Sequence, residues 1–172
     1  MVKKKTMKPG KLGRPVGPNG RAILDDANAS AQRTTLGVAG YCLQGFSVGF
    51  NPADATTYYV SGVGGSAAVA IQGTGKVFIP LAGTVKRIDS NVAVSGTLGT
   101  TETSTLSFRL NNTTDTTITT GLQNNATNQP YAATGLSIAV AVGDYFEIKW
   151  VTPTWVTNPT GVSFSTSVYI EP

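Results

Sequence analysis

From Gly40 to the C-terminus the chain repeatedly alternates apolar and polar residues with a period of two, which is the geometry of a strand with one face in a core. The clearest run is GVSFSTSVYIEP: Val162, Phe164, Thr166, Val168 and Ile170 share one side, and Ser163, Ser165, Ser167 and Tyr169 the other. STLSFRL sets Leu106, Phe108 and Leu110 against Ser107 and Arg109, and GDYFEIKW sets Phe146, Ile148 and Trp150 against Tyr145, Glu147 and Lys149. A helix, with 3.6 residues per turn, cannot put such a set on one face.

Seven further segments fit the same reading: YCLQGFSVGF, TTYYVSG, AAVAIQ, KVFIPL, GTVKRIDSNVAVSG, TTDTTITT and GLSIAVAV. About eight to ten short strands at this spacing predict an all-β antiparallel two-sheet sandwich of jelly-roll type. Composition agrees, since threonine fills ten of the 21 positions from Thr100 to Thr120 and the chain holds 20 glycines. Threonine suits a half-buried pleated surface, and scattered glycines mark turns. NNTTD after Leu110 and AVGD before Tyr145 read as turns, and TPTWVTNPTG, with Pro153 and Pro159, as a loop. Within that loop Trp155 is either an anchor folded back onto the sandwich or an exposed contact residue.

The residues before Gly40 read differently. Residues 1–22 carry Lys3, Lys4, Lys5, Lys8, Lys11, Arg14 and Arg21 with no acid, interspersed with three prolines and four glycines. Such a segment buries too little apolar surface to offset its ordering entropy, which predicts an extended basic arm. The remaining six bases face nine acids, a net of −3, so the formal +4 of the chain belongs to the arm. Residues 23–39 predict a short helix capped by Asp25 or Asp26 and stopped by Gly37, with a narrow stripe of Leu24, Ala27, Ala31, Thr34 and Val38. A helix of about three turns is marginal alone, and small side chains suit close approach between helices of different chains. Residues 40–172 form the β-domain.

Few chemistries remain open. With no histidine, serine–histidine and cysteine–histidine nucleophilic sites are excluded, and the commonest metal ligand is missing. Cys42 is alone, so no internal disulfide is expected, and its ordinary role is that of a structural thiol. GVGGSAAVA lacks the lysine and hydroxyl residue that end a phosphate-binding loop. A paired-carboxylate glycosidase would draw on Asp25, Asp26, Asp54, Asp89, Glu102, Asp115, Asp144, Glu147 and Glu171, most of which fall in turns or on polar strand faces where a solvated carboxylate is the ordinary explanation. The expectation is a protein without catalytic residue, metal or cofactor. The leader MVKKKTMKPGKLG has no apolar run of a secretory signal, and no segment reads as a membrane span, so no membrane insertion is expected. The arm suits either nucleic-acid phosphates or an acidic protein surface, and its low arginine content favours the protein surface.

LDDANASAQRTTLGV (Leu24 to Val38) resembles a segment recurrent in bacteriophage fibre proteins, and FIPLAGTVKRI, FRLNNTTDTTI, LSIAVAVGDYFEIKW, PTWVTNPTGV and the ending VYIEP resemble the knob-like β-domain that follows it. Together the two parts span about 150 of the 172 residues. This resemblance implies a homotrimer of tumour-necrosis-factor-like jelly rolls in a virion, gathered by the Leu24–Val38 stripe. Its arm residues Lys3, Lys4, Lys5, Lys8, Lys11, Arg14 and Arg21 would seat on the major capsid protein or other virion proteins. Tail fibres usually begin with a sizeable adaptor domain, whereas about 22 arm residues precede the linker here, which ranks a head fibre or capsid decoration protein above a tail-fibre tip. A small coat protein with a nucleic-acid-binding arm is the third alternative. The Asn/Thr-rich loops Asn111 to Asp115 and Asn124 to Tyr131 yield the candidate contacts to a host-surface glycan: Asn111, Asn112, Asp115, Asn125, Tyr131 and Trp155. The ordinary explanation of these loops is that they are solvated connections.

Overall fold

The computed structural model describes residues 31–32, 40–46, 49–60 and 76–172. The chain divides into two units, residues 1–39 and 40–172. In the first, Ala31 and Gln32 are helical, inside the predicted linker helix. The arm residues and Leu24, Ala27, Thr34 and Val38 lie outside the described residues, as does the expected strand AAVAIQ.

The second unit is a sandwich of two antiparallel sheets. Its strands are β1 (Tyr41–Phe46), β2 (Thr57–Val60), β3 (Val77–Phe78), β4 (Gly83–Ser95), β5 (Ser104–Leu110), β6 (Thr114–Leu122), β7 (Asn128–Val140), β8 (Tyr145–Val151) and β9 (Gly161–Glu171). The first sheet runs β1-β9-β4-β7 and the second β2-β8-β5-β6, with β3 also pairing β8. Consecutive strands thus cross between sheets except for β2 with β3 and the β5–β6 hairpin, and the interleaved order is that of a jelly roll. Because β2 pairs the C-terminal part of β8 and β3 its first two residues, the two act as one edge strand in two pieces. Only Val77 and Phe78 of KVFIPL enter the ladder; Pro80 follows closely and has no N–H to extend it.

The alternation works as its period requires. Val162, Phe164, Thr166, Val168 and Ile170 of β9 are buried, facing Leu106, Phe108, Phe146, Ile148 and Trp150 across the sandwich. Each fully buried large apolar side chain contributes roughly 1.5–3 kcal/mol. The polar Thr166 is tolerated because its hydroxyl meets that of Ser90 at 2.7 Å. Aromatic rings fill the centre: Trp150 lies 5.1 Å from Phe164, 5.7 Å from Tyr58 and 5.8 Å from Trp155, in tilted or edge-on pairs. Trp155 is therefore a core residue, held there although its loop carries two prolines.

The register defines two ends. At the near end lie Tyr41, the Ile79–Gly83 connection, the Asn111–Thr113 and Ala141–Asp144 turns, and Glu171. At the far end lie the residues around Asn51–Thr56, Thr97–Thr101, Gln123–Thr127 and Thr152–Thr160. β7 is longer than expected and starts at Asn128, so Gln129, Pro130 and Tyr131 belong to a strand rather than to a loop. Pro130 is accommodated because β7 is an edge strand, paired to β4 alone among the described residues. β7 is also 13 residues long and without a charged side chain. Cys42 is exposed on β1 rather than a packed structural thiol. No described helix is long and apolar enough to cross a membrane.

Candidate functional site

The six candidate glycan contacts do not form one surface. Asn111, Asn112 and Asp115 belong to the β5–β6 hairpin at the near end, whereas Asn125 and Trp155 lie in far-end loops and Tyr131 is within β7. Asn111 and Asn112 adopt left-handed backbone (φ 50° and 60°), a conformation asparagine tolerates and a tight hairpin demands. Asn111 also stitches two turns together: its Nδ2 donates to Asp144 Oδ1 at 2.9 Å, and the Tyr145 N–H donates to its Oδ1 at 3.1 Å. Asp144 in turn accepts the Ala141 N–H at 2.7 Å, and these bonds, Ala141 first and Asn111 second, hold its carboxyl below the usual range. Asn111 is thus occupied in building the near end.

Asp115 takes part in a charged network on the outer face of the second sheet. Arg109, on β5, stands opposite Asp115 on one side and Glu147 on the other. Its Nη1 lies 2.9 Å from Asp115 Oδ1, its Nε 3.6 Å from Glu147 Oε1, and its Nη2 donates to the Asn112 carbonyl. Lys149 Nζ binds the other Asp115 oxygen at 2.6 Å, and the guanidinium lies over the Tyr59 ring at 5.4 Å. Two bases and two acids compensate each other. Glu147, read from its place beside Lys149 as a structural charge, is 1% exposed, with its carboxylate held beside Arg109. Since Asp115 and Glu147 share one arginine, their arrangement is that of an ion network.

The near end carries an apolar, aromatic surface. Phe78 is 62% exposed, its ring 5.8 Å from that of Tyr145, and Lys76 Nζ stands 4.2 Å above the other partner of this pair, Tyr145. Leu81 and Val142 are exposed in the adjoining connections, and the Tyr41 hydroxyl donates to the Leu81 carbonyl. Burial is the main reason the Tyr41 phenol is raised above its ordinary value.

The far end differs in being polar and closed. Gly99 N–H donates to the Asn124 carbonyl at 2.7 Å, Gln123 Nε2 to the Thr101 carbonyl at 2.9 Å, and Thr160 N–H to the Thr97 carbonyl at 3.1 Å. Trp155 N–H reaches Asp54 Oδ1 at 3.1 Å and Val156 N–H reaches Glu102 Oε1 at 3.4 Å. Four loops are thereby tied together, three of them carrying Thr100 and Glu102, Asn124, and Trp155. Asn125 is exposed beside them, whereas Trp155, 5% exposed, cannot be a surface contact as it stands. Tyr131 is half-buried, bonded through its hydroxyl to Gln129 Oε1 at 2.7 Å, and packs against the core. Sequence reading passed over Thr100 and set Glu102 aside among nine scattered carboxylates; Asn124 figured only as the start of a loop. Their shared position comes from pairings between segments up to 101 residues apart. Among the described residues no group of three His, Cys, Asp or Glu side chains could hold a metal ion.

No family model matches the chain, and no curated protein matches it. Among solved structures it is similar to the crystal structure of FLHE, with 11% identity and a TM-score of 0.45, over 78% of this chain and 99% of that one. It is also similar to a chain of the cyanophage Pam1 capsid asymmetric unit, with 15% identity and a TM-score of 0.41, over 78% of this chain and 87% of that one. At these values neither likeness assigns the chain a family or a role.

Proposed function

We propose that the chain is a structural protein of a bacteriophage virion: a homotrimeric head fibre or capsid decoration protein, held by its basic arm and presenting the jelly roll outwards. The observation that carries this reading is the polarity of the sandwich. Within the sandwich β1 begins at Tyr41 and β9 reaches Glu171 at the same near end, opposite the far-end loops, which in this reading face outwards. The split between a basic arm and a body of net −3 supports attachment through the arm. The segments that resemble phage knob domains fall on β3–β4, β5–β6, β7–β8 and β9, the framework of the sandwich.

The capsid surface is the proposed place because a segment rich in lysine, glycine and proline binds by lying along an acidic surface. At about 3.3–3.6 Å per residue its 22 residues reach about 70–80 Å. This role assigns no catalysis to the chain, and nucleic acid is not its partner. Deleting residues 1–22 is expected to leave a folded trimer that no longer decorates particles, as seen by sedimentation equilibrium and electron microscopy. A stable monomer at micromolar concentration, or undiminished decoration by the truncated chain, would overturn the reading.

A further inference from the structure

Among the described residues, buried polar atoms without a hydrogen-bond partner concentrate at the far end. Five of the eight such atoms belong to far-end residues: Thr100 Oγ1, Glu102 Oε2, Asn124 Oδ1 and Nδ2, and Trp155 Nε1. Asn124 is 0% exposed with both ends of its amide unmatched, and Trp155 is 5% exposed with its indole N–H unmatched. Buried polar groups are nearly always paired, and a group of unpaired ones in one set of loops is a place for a polar ligand or bound water. The same core shows what pairing looks like: Trp150 Nε1 donates to Ser104 Oγ at 2.8 Å.

The chemistry of the five atoms narrows the ligand. A carboxylate oxygen and an amide oxygen accept, an amide nitrogen and an indole nitrogen donate, and a hydroxyl does either. An anion would be repelled by Glu102, and a metal cation would find two N–H donors among its neighbours. Adjacent hydroxyls on a neutral molecule, each able to donate and accept, match the whole set. We propose that Thr100, Glu102, Asn124 and Trp155 form a binding site for a neutral saccharide at the far end of the jelly roll. This deepens the proposed function, resting on its reading of the far end as free. It replaces the broader set of glycan contacts by one end of the sandwich.

The loop that closes the site is its adjustable part. Thr152 N–H and Thr160 N–H fix its two ends to the Thr56 and Thr97 carbonyls, and Trp155 anchors it in the core. Between them Val156 and Asn158 are held by contacts of 3.4 Å, to Glu102 Oε1 and the Pro52 carbonyl. Val156 is 84% exposed, and in the proposed site residues 156–158 shift so that Glu102 Oε1 is freed from the Val156 N–H. A sugar hydroxyl takes over the carboxylate as the long Val156 contact breaks.

The chain has two tryptophans, and their indole N–H signals in a nitrogen–proton correlation spectrum provide the test. The full chain is titrated with millimolar methyl glycosides of a hexose, an N-acetylhexosamine and a 6-deoxyhexose. The Trp155 signal is expected to shift saturably with at least one of them, while Trp150, paired to Ser104, stays in place. Glu102→Gln and Asn124→Ala are expected to weaken that response at least tenfold, and Asn111→Ala at the near end to leave it unchanged. A folded protein whose Trp155 signal ignores all three sugars overturns the site, as does an unaltered response in folded Glu102→Gln. Particle decoration by the same variants separates the two proposals: loss of sugar response with normal decoration supports the site, and absent decoration by the unmodified chain sinks the virion role alone.

Discussion

Arg109 and Glu147 stand directly opposite each other on β5 and β8, with Nε and Oε1 3.6 Å apart and the glutamate side chain out of solvent. Removing the arginine leaves a buried carboxylate without its nearest compensating charge. Arg109→Met is expected to lower stability by about 3–5 kcal/mol. The double variant Arg109→Met/Glu147→Met should recover much of that loss, and urea denaturation of the four proteins in the cycle measures it.

Ser90 and Thr166 form a second cross-strand pair, this one inside the core of the first sheet. Either Ser90→Ala or Thr166→Val strands one buried hydroxyl, at a cost of about 1–3 kcal/mol. Replacing both removes the unmatched group, so the double variant should be less destabilised than the sum of the singles. Thermal unfolding reads the difference, at about 2–4 °C per kcal/mol for a domain of this size.

Gly83 opens β4 where it passes Glu171. A methyl group there would collide with the Glu171 carbonyl and approach Ile170 Cγ2 to 2.8 Å, and the first obstacle is backbone. Gly83→Ala is expected to cost about 1–3 kcal/mol by overpacking. Gly49→Ala, whose added carbon meets nothing within 4 Å, is the matched control in the same denaturation experiment.

Asp144 gives the near end an acid-sensitive turn. Its folded carboxyl is held below the ordinary value of 3.8, so it binds its proton less readily than in the unfolded chain. The resulting stability is fully present well above pH 3.8, declines as pH falls through that region, and is gone below the depressed folded value. The difference in urea midpoint between the unmodified chain and Asp144→Asn should therefore shrink on acidification from pH 6 to below the folded value. A difference that stays constant would contradict the assignment.

Strand positions were legible because a period of two leaves little freedom: STLSFRL coincides with β5, and the alternation of β9 holds to Ile170. The Asn/Thr-rich run Asn124 to Tyr131 reads as a loop, and only the pairing of its second half with β4 shows that it is strand, on a sheet edge among the described residues. Glu147, beside Lys149 on the polar side of its strand, reads as a structural charge, but alternation does not tell how deeply it is buried. Asn111 and Asn125 look alike in sequence, and the jelly-roll crossing sends them to opposite ends. The far-end cluster was invisible for the same reason, since Glu102, Asn124 and Trp155 meet only through connections between sheets.

The uncharged length of β7 has a practical consequence for handling the protein. Among the described residues one side of this 13-residue strand is unpaired and carries no lysine or glutamate, a template along which another chain can add its own strand. Solutions of the isolated sandwich should therefore lose material through ordered strand addition by folded molecules, in proportion to concentration and well below the unfolding temperature. A lysine placed at exposed Ala132 or Ser137 is the substitution that should preserve long-term solubility without touching the core.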